Sequence, residues 1–124
     1  MTANRISAWL AIGLSVFGAG LKVVRVLRQH EWWPFFAYDY IAAGLLLVGA
    51  IAVLRGRGSG RLLAAGWGFG VAMFYGSFFG HLENWLAHTG PDVGFERTMS
   101  LFGGPFLALN VLGLVLALVP SRQA

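Results

Sequence analysis

Four apolar stretches of roughly twenty residues or more, each closed by a short run of breakers or charges, leave this chain few folds. They cover about 6–28, 34–54, 62–88 and 96–119. At 1.5 Å per residue, about twenty helical residues match a hydrocarbon layer of roughly 30 Å. Inside that layer each backbone N–H and C=O needs an internal partner, which a helix supplies. The chain has 124 residues, 57% of them hydrophobic and 11% charged, against about 25% charged in ordinary soluble domains. So short a chain has too little interior to hide that much apolar surface from water. The expected fold is all-α: an integral membrane four-helix bundle forming one transmembrane domain over 1–124.

The punctuation supports the four spans. Pro34 suits the first turn of a helix, and the pair Trp32 and Trp33 before it suits a membrane interface. The Gly- and Arg-rich segment from Arg55 to Arg61 reads as a flexible basic turn, and Thr89 to Gly94 as a loop. Pro120 stops the last span, while Pro105, after Gly103 and Gly104, predicts a kink within it. The first apolar run continues from Leu21 into Lys22, Val23, Val24 and Arg25 with no small-residue cleavage pattern, so a retained helix is expected rather than a signal peptide.

Charge sets the expected orientation. Arg5, Arg55, Arg57, Arg61 and Arg122 flank one side of the spans without an acid among them. All five acids, Glu31, Asp39, Glu83, Asp92 and Glu96, fall towards the other. The positive-inside rule then places both termini in the cytoplasm. Gly-, Ala- and Arg-rich usage with a single lysine points to a GC-rich bacterial genome, hence to a bacterial cytoplasmic (inner) membrane and a multi-pass protein. The net charge of +4 is scattered beside the spans, so nucleic acid is not an expected partner. With no cysteine, thiolate catalysis, disulfides, iron–sulfur clusters and zinc–thiolate sites are excluded.

Helical spacing sorts the faces. In the first span Ala8, Ala11, Ser15, Gly18, Lys22, Arg25 and Gln29 share a stripe opposite Trp9, Ile12, Val16, Val23 and Leu27. Gly70, Phe74, Ser77, His81, Asn84 and His88 form the third span's stripe; Ser100, Gly103, Leu107, Asn110, Leu114 and Ala117 form the fourth's. Small residues at Gly44, Gly49, Ala50, Gly66, Gly70, Gly76 and Gly80 are expected to admit neighbouring helices. The half opposite the Arg-rich turn gathers the polar groups. Lys22 lies about 9 Å inside its helix end, where a lone charge is unfavourable and seeks a partner. Asp39 is the first candidate and Glu83 the second. His81 and Glu83, two residues apart, point about 200° away from each other, so the histidine face is taken as inward.

Each candidate has a structural reading beside the functional one. Lys22 and Arg25 suit an anionic headgroup, or simply snorkel and pair with Asp39. Asp39 with His81 suits an acid–base pair, since burial and nearby charge tune such groups, or a satisfied buried hydrogen bond. His30, His81 and His88 lack the spacing of a metal site, so no metal is expected; a haem or a quinone is the sole cofactor class left open. Trp32, Trp33, Tyr38, Tyr40 and Trp85 suit an interfacial belt better than a ligand cage.

Gly20-Leu21-Lys22, the run Ala43-Gly44-Leu45-Leu46-Leu47-Val48-Gly49, and Gly60-Arg61-Leu62-Leu63-Ala64 resemble the DoxX-like group of small four-helix bacterial membrane proteins. The resemblance covers most of the chain in architecture. It implies association with quinone-linked redox systems for some members. In that group an acid often precedes the glycine of the second span by four residues; here Tyr40 stands there, and Asp39 lies one residue, about 100°, away.

The leading expectation is a non-enzymatic protein with an outward-facing polar pocket that binds a membrane lipid or small amphipathic ligand, as an accessory subunit of a membrane redox complex. Lys22, Arg25, Asp39, Tyr40, His81, Asn84, Trp85 and His88 line that pocket. The first alternative is a small membrane-embedded isomerase or hydrolase acting on a lipophilic substrate, with Asp39 or Glu83 as catalytic acid or base and His81 as partner. A proton-coupled transporter is the second; four short helices enclose little space, so a homodimer or larger complex goes with it.

Overall fold

The computed structural model describes residues 2–29, 33–57, 60–88 and 93–119. Expectations placed on His30, Glu31, Trp32, Thr89 to Asp92, Pro120 and Arg122 lie outside these residues, as do the side chains of Arg25, Gln29, Trp33 and Pro34. The described residues form four helices: α1 (Ala3–Gln29), α2 (Trp33–Leu54), α3 (Arg61–Leu86) and α4 (Val93–Leu118). All four carry segments long and apolar enough to cross a membrane. The described residues contain no strand, and the architecture is an all-helical four-helix bundle of the multi-pass membrane class. Spans one, two and four match the expected ranges within about three residues. The third ends two residues early, at Leu86, because His88 turns into the left-handed region at φ 52°. α4 runs unbroken through Pro105.

Around the bundle α1 packs on α2 and α4, and α3 on α2 and α4, while α2 and α4 face each other without contact. The chain runs antiparallel at each turn, so Arg5, Arg55, Arg57 and Arg61 collect at one end (the arginine end) and Lys22, Asp39, His81, Glu83 and Glu96 towards the other (the acidic end). At the arginine end Arg5 Nη1 reaches the Leu54 carbonyl at 3.5 Å. Asn4, with its amide turned to donate, reaches the carbonyls of Leu116 and Ala117 at 3.2 and 3.1 Å.

The arginine half holds the core. Ala8 and Ala11 of α1, Leu46 and Ala50 of α2, Leu63 and Trp67 of α3 and Ala117 of α4 are buried together. Lipid tails are as apolar as these side chains, so close packing and interhelical hydrogen bonds must hold the helices together. Glycine supplies the closeness. A Cβ on Gly49 would lie 2.6 Å from the Leu63 backbone nitrogen, and one on Gly66 would lie 3.0 Å from that of Leu46. α2 and α3 therefore meet backbone to backbone. Hydrogen bonds tie the same layer: Trp67 Nε1 donates to Ser7 Oγ at 2.7 Å, and Ser7 Oγ donates to the Gly113 carbonyl at 2.8 Å. That relay joins α3, α1 and α4. Sequence spacing placed Ser15 and Asn110 on inward stripes; Ser7, which lies on none of those stripes, supplies the relay in this layer.

The helical stripes hold for most positions. Ala8, Ala11, Ser15, Gly70, Ser100, Asn110 and Ala117 are buried, whereas Trp9, Val16, Val23 and Leu27 are exposed. Ser77 is a correction: it is exposed, and Phe78 turns inward instead. Gly104 makes room, since a Cβ there would lie 3.3 Å from the Phe78 ring. α3 thus steps by fours, Gly70 to Phe74 to Phe78, before His81 resumes the inward face. Gly44, Gly76 and Gly80 are corrections too, because a Cβ at each would meet nothing within 4 Å.

Candidate functional site

An ion pair and a histidine–carboxylate contact organise the described part of the acidic half. Lys22 on α1 places its Nζ 2.8 Å from Asp39 Oδ2 on α2. The side chains are 11% and 25% exposed, so the contact is partly shielded and each charge sits against its opposite. Sequence spacing anticipated this pairing. The side chain of Arg25 lies outside the described residues.

His81 has a different partner from the one expected. Its Nδ1 lies 2.5 Å from Oε2 of Glu96 on α4, rather than against Asp39, which takes Lys22. The correction follows from the order of the helices: α3 packs on α4 along its length, so α4 is the natural source of a partner for His81. Glu96 is 4% exposed, and His81, with its side chain 24% exposed, sits between that carboxylate and the edge of the Phe95 ring. A hydrogen bond to a carboxylate is charge-assisted and short. Because Glu96 engages Nδ1, proton exchange at this histidine falls to Nε2.

Glu96 was the residue that sequence reasoning missed as a site. Its signal was available. The stripe Ser100, Gly103, Leu107, Asn110 extends one turn back to Glu96 by a step of four, while the residue was counted only among the acids that set the orientation. Ser100, one turn on, is also buried and donates to the Glu96 carbonyl at 2.8 Å.

The other candidates separate. Asn84, three residues after His81, is half-buried on the same side of α3, and Trp85 is half-buried beside it. Tyr40 is exposed on α2, one residue past Asp39. His88 is exposed beyond the end of α3, its N–H donating to the Trp85 carbonyl at 3.3 Å. Glu83 is exposed and turned away from His81; with Phe79, Leu82, Leu86 and Ala87 it lines a shallow open depression of about 490 Å³. Among the described residues no group of three or more His, Asp or Glu gathers in a form that could hold a metal ion.

Beneath these pairs few described side chains are covered: across 16–23, 27, 37–43, 73–88 and 94–107 only Ala42, Glu96 and Ser100 are buried. The aromatics that fill this layer, Phe17 over Phe106 at 6.2 Å and Phe74 over Phe106 at 5.6 Å, are not fully covered. On α1, two turns or about 10 Å below Lys22 on the same stripe, the Ser15 hydroxyl is buried without a hydrogen-bond partner among the described residues. No protein-family model, no curated protein and no solved structure matches this chain.

Proposed function

We propose that the acidic half of the bundle binds a small amphipathic molecule or a membrane lipid, with its polar head at the Lys22–Asp39 and His81–Glu96 pairs and its apolar part along the Phe17, Phe74 and Phe106 layer. One observation carries the reading: this half is closed by the Lys22–Asp39 ion pair and the His81–Glu96 contact, and none of the large apolar side chains described there is buried, whereas the arginine half is packed backbone to backbone. The orphaned Ser15 hydroxyl adds to it, because an unsatisfied buried hydroxyl costs about 1–3 kcal/mol that a ligand reaching down the seam from Lys22 would offset. In the orientation we favour, both termini are cytoplasmic and this site opens to the outer leaflet of a bacterial inner membrane. The DoxX-like resemblance suggests a place beside a membrane redox complex, as an accessory subunit.

A second reading draws on the His81–Glu96 pair itself. A carboxylate holding Nδ1 orients the ring and leaves Nε2 for proton transfer, the arrangement a small isomerase or hydrolase of lipophilic substrates needs. In that case Glu96, rather than Asp39 or Glu83, is the partner of His81.

The test is to purify the full chain in mild detergent and identify retained small molecules by mass spectrometry, alongside the double variant Lys22→Leu, His81→Leu. The proposal expects one species retained near one per chain and released by the double substitution. Retention of nothing beyond bulk lipid by the natural chain would refute it.

A further inference from the structure

At the opposite end, the arginine turn and its surroundings form a second site that the ligand reading does not use. Arg5, Arg55, Arg57 and Arg61 are exposed there, and no acidic residue lies among the described residues of that end. The backbone N–H groups of Arg55, Gly56 and Arg57 donate to the carbonyls of Ile51, Val53 and Ala52, and Arg5 reaches that of Leu54. Between α2 and α3, Arg57 and Arg61 border a cavity of about 190 Å³ whose other walls include Ala52, Val53 and Leu62. Its floor is firm, because it lies over the Gly49–Leu63 backbone contact.

The combination has a chemical meaning. Two arginines lining a small recess can bring forked donors to the oxygens of a phosphate. Apolar walls continue into a helix face that hydrocarbon covers, and basic pockets between transmembrane helices at this depth take anionic headgroups. Setting topology requires arginines near the span ends but no recess between them. We propose that Arg57 and Arg61 bind a phosphate group here, that of an anionic phospholipid whose acyl chains run along Ala52, Val53 and Leu62.

Native mass spectrometry of the full chain, extracted in mild detergent and supplied with equal amounts of phosphatidylglycerol and phosphatidylcholine, tests this. The natural chain is expected to retain phosphatidylglycerol at least about tenfold over phosphatidylcholine. Arg57→Gln and Arg61→Gln should each cut that preference severalfold. Arg55→Gln removes the same charge outside the recess and should leave the preference within twofold. Far-UV circular dichroism confirms that each variant remains folded. Addition of 10 mM inorganic phosphate should leave the lipid bound; displacement would assign the site to free phosphate and overturn the lipid reading. Equal retention of the two lipids by the natural chain, or an Arg55→Gln loss as large as that of Arg57→Gln, would overturn the site itself.

Discussion

Gly113→Ala is the most searching test of the packed half. A Cβ at this position would lie 2.2 Å from Trp67 Cε2, 2.4 Å from Cζ2 and 2.5 Å from Cδ2. Carbon contacts need about 3.5 Å, so the ring and α4 must separate by about 1.3 Å. Trp67 cannot give way freely. It is fully buried, and its indole N–H is held by Ser7, whose hydroxyl in turn holds the Gly113 carbonyl. Overpacking of a filled core costs about 1–3 kcal/mol, and a strained interhelical hydrogen bond in a membrane protein adds about 0.6–1.7 kcal/mol. The expected loss is about 2–4 kcal/mol. Equilibrium unfolding in mixed micelles of mild detergent and dodecyl sulfate, followed by circular dichroism, measures it. Gly76→Ala serves as the control: its Cβ meets nothing, so stability should change by less than about 0.5 kcal/mol. In a double-mutant cycle with Trp67→Leu, which removes the clashing ring, the double variant should be about 2 kcal/mol more stable than the sum of the singles. Strict additivity, or a Gly113→Ala loss no larger than that of Gly76→Ala, would show that Gly113 does not seat Trp67.

Three further outcomes follow from the site and the charges. Lys22→Leu leaves Asp39 without its ammonium; removing one partner of a buried pair costs 3–5 kcal/mol, and a quarter-exposed carboxylate lowers the expectation to about 1–3 kcal/mol. Unchanged thermal stability in detergent would contradict a stabilising pair, whereas Asp39→Asn added to Lys22→Leu should recover most of the loss. Glu96→Ala should destabilise the bundle by about 1–3 kcal/mol more than Glu96→Gln, which keeps an acceptor for His81; equal unfolding midpoints would argue against that hydrogen bond. A fluorescent protein fused to the C-terminus should glow and an alkaline phosphatase fused there should stay inactive if the proposed orientation holds; the reverse pattern would invert it and move the ligand site to the cytoplasmic leaflet.

Much of the bundle was legible in the chain, and some of its site. Lys22 and Asp39 were readable as a pair because a deep cation in hydrocarbon needs an anion, and few anions lie at the same level. His81 was assigned to the wrong partner because two acids, Asp39 and Glu96, stand at comparable depth, and spacing within a helix does not rank neighbours between helices. Glycines divided for a related reason. Gly49, Gly66, Gly70 and Gly113 meet other helices, while Gly44, Gly76 and Gly80 face open surroundings, and nothing in their local sequence distinguishes the two sets.

Hydrophobicity, helix period and turn chemistry act along the chain, so the number of helices, their approximate limits and the end at which the arginines gather were determined by the sequence alone. Which helices are neighbours depends on how four surfaces fit together. Only the folded bundle seats Trp67 on Gly113, lets α2 and α3 touch at Gly49, and gives Glu96 rather than Asp39 to His81. Those choices depend on which helices are neighbours and on close fit between residues far apart in the chain, and no periodicity along one helix encodes them.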